Sequence, residues 1–142
     1  MSSHPFPFYT EIATRFRDLD AFGHVNNAVY FTYMETARFR FLQQFLTIDE
    51  PADASVILGE AQCRFLSPVL FDETLRVGVA VSRFGNKSFD ILYHFFAEDG
   101  MLVAAGLTAM VMYNYATQET LAIPDDFRQR ILDFQGGWRP PS

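Results

Sequence analysis

A single cysteine in 142 residues excludes an intrachain disulfide, so no disulfide scaffold is expected and a reducing compartment, the cytoplasm, is the expected location. Positive charge is scarce as well. Lys and Arg number 11 against 17 Asp and Glu, a formal charge of -6, which is the wrong sign for a face that pairs with nucleic-acid phosphates. The longest nearly apolar run, 101–113, is broken by Gly106 and Thr108 and falls short of the ~18–20 residues a membrane span needs. The opening Met-Ser-Ser-His-Pro lacks the basic and apolar regions of a secretory signal, so none is expected. His4, His24 and His94 have no metal-ligand spacing, and no glycine-rich loop leads from a strand into a helix. Neither a metal nor a nucleotide cofactor is therefore expected.

What the chain does have is apolar residues: 49% of it, 16 of them Phe. That is too apolar for disorder and suits one domain, 1–142, with its core at about 8–134. Residues 8–17 are aromatic and β-branched and predict a strand. Polar, turn-forming residues 18–26 predict a loop. Tyr30, Met34, Ala37, Phe41 and Phe45 then recur at helical spacing, predicting a helix capped by Asn26 or Asn27 and ending near Leu46. At ~1.5 Å per residue it would run about 30 Å.

Strands follow at 54–66, 74–84, 87–97 and 101–113. Leu75, Val77, Val79 and Val81 mark one buried face, and Phe89, Ile91, Tyr93 and Phe95 mark the next. Gly85-Asn86 and Glu98-Asp99-Gly100 are the turns between them. Pro124 with Asp125-Asp126 opens a short C-terminal helix that ends at Gly136-Gly137. The β-α-β-β-β-β order predicts an α+β domain, with a mostly antiparallel sheet of about five strands and one long helix over one face. Leu92, His94 and Phe96, and in the last strand Leu102, Ala104, Met110 and Met112, are expected on the opposite face. Apolar residues there imply a second subunit.

The densest polar cluster runs from Asp18 to Asn27, just before the helix. A helix start offers unpaired N–H groups and a positive dipole end for an oxyanion, and a carboxylate beside it can act as base or nucleophile. The same residues also suit a plain capped loop.

The stretch Arg15-Phe16-Arg17-Asp18-Leu19-Asp20-Ala21-Phe22-Gly23-His24-Val25-Asn26-Asn27, continuing to Tyr33-Met34-Glu35-Thr36-Ala37-Arg38, resembles the N-terminal signature of hotdog-fold acyl-CoA thioesterases of the 4-hydroxybenzoyl-CoA thioesterase family. The likeness continues at Arg64–Val69, Arg83–Ser88 and Ile123-Pro124, over about residues 8–134. It implies a sheet wrapped round a central helix and assembly into a homodimer or homotetramer. It further implies that Asp20, in Asp-x-x-Gly, is the catalytic carboxylate, and that the backbone N–H near Asn27 polarises the thioester carbonyl. A thiolate of pKa roughly 8.5 leaves with little help, so attack on the carbonyl and oxyanion stabilisation remain. Direct attack by Asp20 and general-base activation of water both stay open.

Gly23 would let the loop approach substrate closely. His24 would orient a water, contact the acyl group, or simply structure the loop. Asp18 is expected to stabilise the loop or sit in solvent, and Glu35 to be structural. Coenzyme A carries phosphates that an acidic protein repels overall, so a local basic cluster is required. Arg83 and Lys87, with the Ser88 hydroxyl, flank the Gly85-Asn86 turn, and the family's equivalent hairpin lies near the pantetheine–phosphate path. Arg64 is a further candidate. Cys63, in register with Ile57, Ala61 and Phe65, is expected to be a buried strand thiol. The expected ligand is an acyl-CoA that is hydrolysed to free acid and CoA. An acyl-carrier-protein thioester and a non-catalytic acyl-CoA-binding module are the alternatives.

Overall fold

The computed structural model describes residues 6–46 and 56–141. Its elements are β1 (Phe8–Ala13), α1 (Val29–Leu42), β2 (Val56–Phe65), β3 (Thr74–Phe84), β4 (Ser88–Phe96), β5 (Leu102–Asn114), β6 (Glu119–Thr120) and α2 (Asp125–Gln135). His4 and the first two residues of the strand expected at 54–66 lie outside the described residues. The strands form one antiparallel sheet in the order β1-β3-β4-β5-β2, with β6 paired to the end of β5. This is the expected hotdog arrangement, a sheet curved around α1, with six strands rather than five because two residues after the Tyr115–Gln118 turn add β6.

The period-2 pattern of β3 and β4 sets the core. Leu75, Val77, Val79, Phe89, Ile91, Tyr93 and Phe95 are all 0% exposed, and share one cluster with Met34, Ala37 and Phe41 of α1. Each such side chain contributes about 1.5–3 kcal/mol when fully buried. Gly106 of β5 faces α1 and leaves room for the Met34 sulfur, which occupies the space a Cβ would need.

Two boundaries differ from expectation. β1 stops at Ala13, because Asp18 turns back on Arg15 and folds Phe16–Asp18 into a single 3-10 turn. α1 spans 14 residues, about 21 Å at ~1.5 Å per residue, and the chain from Gln43 to Leu46 closes in tighter turns on Phe41 and Leu42.

The faces of β5 also need correction. Phe95 pairs with Ala104, Ile91 with Thr108 and Phe89 with Met110, so Ala104, Met110 and Met112 lie on the helix-facing side and are buried. The outer face of β5 carries Ala105, Leu107, Ala109 and Val111 instead, opposite His94, Leu92, Asp90 and Ser88. A bulge between Leu58 and Glu60 likewise puts Ile57 opposite Val111, on the outer side, while Cys63 faces Gly106 on the core side. Part of the outer face is covered from within the chain. Phe6 lies over Gly78, where a Cβ would stand 2.6 Å from its ring, and packs against His94 and Trp138 at 4.9 and 5.2 Å.

α2 begins after Pro124, carries Asp125 and Asp126 in its first turn, and ends where Gly136 takes φ 56°. It buries Phe127 and Ile131. At its end the Gln135 amide accepts the Val81 N–H at 2.7 Å and donates to the Val81 carbonyl at 3.1 Å, beside the β3 bulge at Val81/Arg83.

Candidate active site

The loop between β1 and α1 is organised by its own hydrogen bonds. Leu19 and Val25 form a bridge, the Asp20 N–H donates to the His24 carbonyl at 2.8 Å, and the Gly23 N–H donates to the Asp20 carbonyl at 3.1 Å. Gly23 adopts φ 79°, the left-handed region that favours glycine. A Cβ there would meet nothing within 4 Å, so the backbone turn, rather than crowding, accounts for glycine at this position. The turn presents Asp20. Its Oδ1 accepts the Phe22 and His24 N–H groups at 2.9 and 3.3 Å, while Oδ2 has no hydrogen-bond donor among the described residues. The carboxylate is thus oriented through one oxygen and available through the other.

Asn26 forms the turn that leads into α1, but the residue at the helix N-cap is Ala28, with no side-chain cap, so the expected Asn26 or Asn27 cap falls one or two positions short of the helix. The Asn26 Oδ1 accepts the Ala28 N–H at 2.8 Å and its carbonyl accepts Val29 N–H at 2.9 Å. The Tyr30 and Phe31 N–H groups bond to the Asn27 and Ala28 carbonyls. The Asn27 N–H has no acceptor among the described residues, which leaves a donor at the positive end of α1.

Asp20 and Asn27 share a cleft of about 360 Å³ with His24, Val25, Tyr30 and the segment Phe65–Pro68. The far wall arrives by tertiary pairing. Leu66 and Ser67 N–H groups both donate to the Val103 carbonyl, and Leu70 bridges to His24. The residue types of Asp18–Asn27 pointed to the near wall but not to this one. Tyr30 was also hidden, because its helical spacing reads as core. It is 3% exposed, packs against Phe65 and Phe95, and its hydroxyl has no hydrogen-bond partner among the described residues. Burial pushes that phenol up to about 12, so it enters the cleft as a neutral donor.

Asp18 is not a solvated carboxylate. It is 2% exposed and accepts the Tyr33 hydroxyl at 2.7 Å, the Arg15 N–H at 3.0 Å and the Arg15 guanidinium at 3.0 Å. Burial acts to raise its pKa, but the bonds from Arg15 and Tyr33 outweigh it and hold the carboxyl below its ordinary value.

The other candidate residues lie apart. Ser88 pairs near Val111 and Phe95 near Ala104 on the same strand pair, so the Arg83–Ser88 hairpin is about 23 Å along the sheet from the end carrying the cleft. Within one chain the two are not brought together. Arg83 is held by Asp90, at 2.9 and 3.4 Å, and Lys87 Nζ donates to the Thr120 hydroxyl at 3.3 Å. Arg128, on α2, adds a cation there by donating to the Gly85 carbonyl at 2.7 Å. Arg64 lines an outer-face groove with Gln62, Leu92, Ala105 and Leu107. Glu35 lines a third groove with Arg38 and Leu58. The Cys63 thiol is half-buried and pushed up to about 11 by burial, which keeps it protonated. Among the described residues, no three His, Cys, Asp or Glu converge as metal ligands, and no helix is long and apolar enough to cross a membrane.

A profile of the thioesterase-like superfamily matches residues 14–131, which contain the Asp20 loop, α1 and the whole of β2–β6. The chain belongs to the thioesterase-like superfamily. Superfamily members of known structure share this fold. A thioesterase from Thermus thermophilus, crystallised with coenzyme A and Zn, superimposes with a TM-score of 0.83 at 32% identity, covering 96% of this chain and 98% of that one. The Escherichia coli K12 long-chain acyl-CoA thioesterase FadM is 26% identical over 128 residues, 86% of this chain and 95% of FadM. The chloroplastic acyl-acyl carrier protein thioesterase ATL3 of Arabidopsis thaliana is 28% identical over 132 residues, 87% of this chain and 67% of ATL3.

Proposed function

We propose that this chain is a cytoplasmic acyl-CoA thioesterase of the 4-hydroxybenzoyl-CoA thioesterase family, hydrolysing R–CO–S–CoA to a free acid and CoA. The observation that carries the proposal is one cleft that brings together Asp20 Oδ2 and the Asn27 N–H, each without a hydrogen-bond partner among the described residues. The thioester carbonyl sits against the Asn27 N–H, which takes up the developing oxyanion, assisted by the positive end of α1. Asp20 either attacks the carbonyl carbon, giving a mixed anhydride that water then hydrolyses, or removes a proton from an attacking water. CoA departs as the thiolate in both routes, so no strong general acid is needed. His24 shapes the loop beside Asp20, Gly23 permits its turn, and the neutral Tyr30 hydroxyl is a second donor to the acyl carbonyl or water.

The phosphates of CoA are assigned to Arg83, Lys87 and Ser88 of a second protomer, with Arg64 a weaker contributor. The separation of that hairpin from the cleft within one chain supports the division, as do the apolar outer-face residues Leu92, Ala105 and Leu107. The protein is accordingly proposed to be a homodimer or homotetramer. Similarity to ATL3 favours a second reading, an acyl-carrier-protein thioester docked on the same cations.

A panel of acyl-CoAs, the matching acyl-carrier-protein thioesters and acyl-pantetheines, read by free-thiol release, tests the proposal. Turnover highest with acyl-CoA is expected. Preference for carrier protein selects the second reading, and tight binding of every acyl-CoA without thiol release identifies a binding module.

A further inference from the structure

We infer that Asp18 and Tyr33 are positioning residues that aim the Asp20 carboxylate; the inference rests on the proposed catalytic role of Asp20. Asp18 lies two positions before Asp20 and ties that segment to α1 twice. Its carbonyl accepts the Asn26 N–H at 2.8 Å, where the chain enters the helix. Its carboxylate accepts the Tyr33 hydroxyl at 2.7 Å, two helical turns further along. A buried ionised carboxylate with hydrogen bonds from three groups is held far more narrowly than an exposed one. Asp20, by contrast, is exposed and held by two backbone N–H groups of its own loop. Those bonds fix the Asp20 carboxylate relative to Phe22 and His24 but not relative to the Asn27 N–H. The Asp18–Tyr33 bond supplies that second reference, because Tyr33 and Asn27 belong to the same helix and helix start. Tyr33 also packs on Tyr30 of the cleft wall, with ring centroids 5.7 Å apart.

Burial and the bond to Asp18 both push the Tyr33 phenol above its ordinary value, so the hydroxyl keeps its proton for this bond. Asp18 Oδ2 receives Tyr33, the Arg15 N–H and, at 3.4 Å, the Arg15 Nε, whereas Oδ1 receives only the other arm of that guanidinium. An Asn oriented with its oxygen at the Oδ2 position therefore keeps the helix tie, whereas Ala loses it.

The test measures kcat, KM and melting temperature for Tyr33→Phe, Asp18→Ala and Asp18→Asn, alone and with Asp20→Asn, using the best acyl-CoA of the panel. If the clamp aims Asp20, Tyr33→Phe lowers kcat ~10-fold and Asp18→Ala up to ~100-fold, since about 1 Å of misplacement costs that much. KM stays within about twofold, all variants remain folded at the assay temperature, and Asp18→Asn recovers most of the loss seen with Ala. In the Asp20→Asn background Tyr33→Phe causes no further loss, because the group it aims is already gone. Unchanged kcat in Tyr33→Phe and Asp18→Ala, while Asp20→Asn is impaired, overturns the inference and leaves the role of Asp20 standing. The same fold loss with and without Asp20 also overturns it. Normal turnover by Asp20→Asn removes the role of Asp20 itself.

Discussion

Replacing Asp20 with Asn separates chemistry from architecture, because the two oxygens of this carboxylate have different surroundings. Oδ1 holds the turn through the Phe22 and His24 N–H groups, and an Asn carbonyl oxygen in that position accepts both. The amide nitrogen then takes the place of Oδ2, which has no donor to clash with among the described residues and lies in an exposed side chain. The stability change should therefore stay within about 1 kcal/mol, the size of a helix-cap bond. The rate should behave differently. An amide neither attacks the thioester nor takes a proton from water, and loss of such a group typically costs ~10²–10⁴-fold, a barrier rise of about 2.7–5.4 kcal/mol. Thiol release under saturating substrate gives kcat, a denaturant titration gives stability, and calorimetry gives substrate affinity. A loss confined to kcat is the expected pattern. Turnover at the unsubstituted rate would refute the reasoning, and a loss matched by unfolding would show that Asp20 serves the loop alone.

Three further outcomes follow from the geometry. Arg83→Ala combined with Lys87→Ala should raise KM for acyl-CoA several-fold and weaken its salt dependence with kcat little changed; an equal rise with acyl-pantetheine would place these cations elsewhere. Gly106→Ala forces a methyl into the space of the buried Met34 sulfur and should cost about 1–3 kcal/mol in urea unfolding, most of it recovered by a smaller residue at 34. The folded-state pKa of Asp18 is depressed, so its contribution to stability is complete above the unfolded value, roughly 4, and is lost as pH falls through the folded one. Asp18→Asn should accordingly flatten the fall of melting temperature below about pH 4, and an unchanged acid limb would contradict the assignment.

How far the sequence reveals this molecule depends on the range over which each signal acts. β3 and β4 alternate large apolar residues with smaller or polar ones, and Leu75 to Phe95 fall where that alternation puts them. β5 defeats the same logic. Ala104 and Ala105 sit on opposite faces, and the core side contains Gly106 and Thr108, so neither face stands out. Thr108 is tolerated inside because its hydroxyl pairs with that of Tyr93 at 2.7 Å, and Gly106 is required by Met34. Both reasons lie outside the strand. The bulge at Gly59 reverses the phase of β2 for the same kind of reason. In the candidate site, Asp20, His24 and Asn27 are legible because they are close in sequence, and local turn chemistry exposes them. Phe65–Pro68 joins them only through pairing with Val103, and the bond from Tyr33 to Asp18 spans 15 positions with no periodic signal.

The Gln135 amide continues the edge of β3 at Val81, one step beyond the last β1 pair at Phe8–Val79, and this ties the fate of one central strand to the last helix. The Val81 N–H, 2.7 Å from a side-chain oxygen of α2, is shielded by an 11-residue helix that buries only Phe127, Ile131 and Gln135. Local opening of a short peripheral helix requires far less free energy than opening a five-strand ladder. Amide exchange at Val81 therefore follows detachment of α2, while its neighbours Val77 and Val79, paired to β4 and β1, wait for the sheet to separate. One strand thus carries two clocks, and the faster one records the C-terminal helix leaving a core that is still intact.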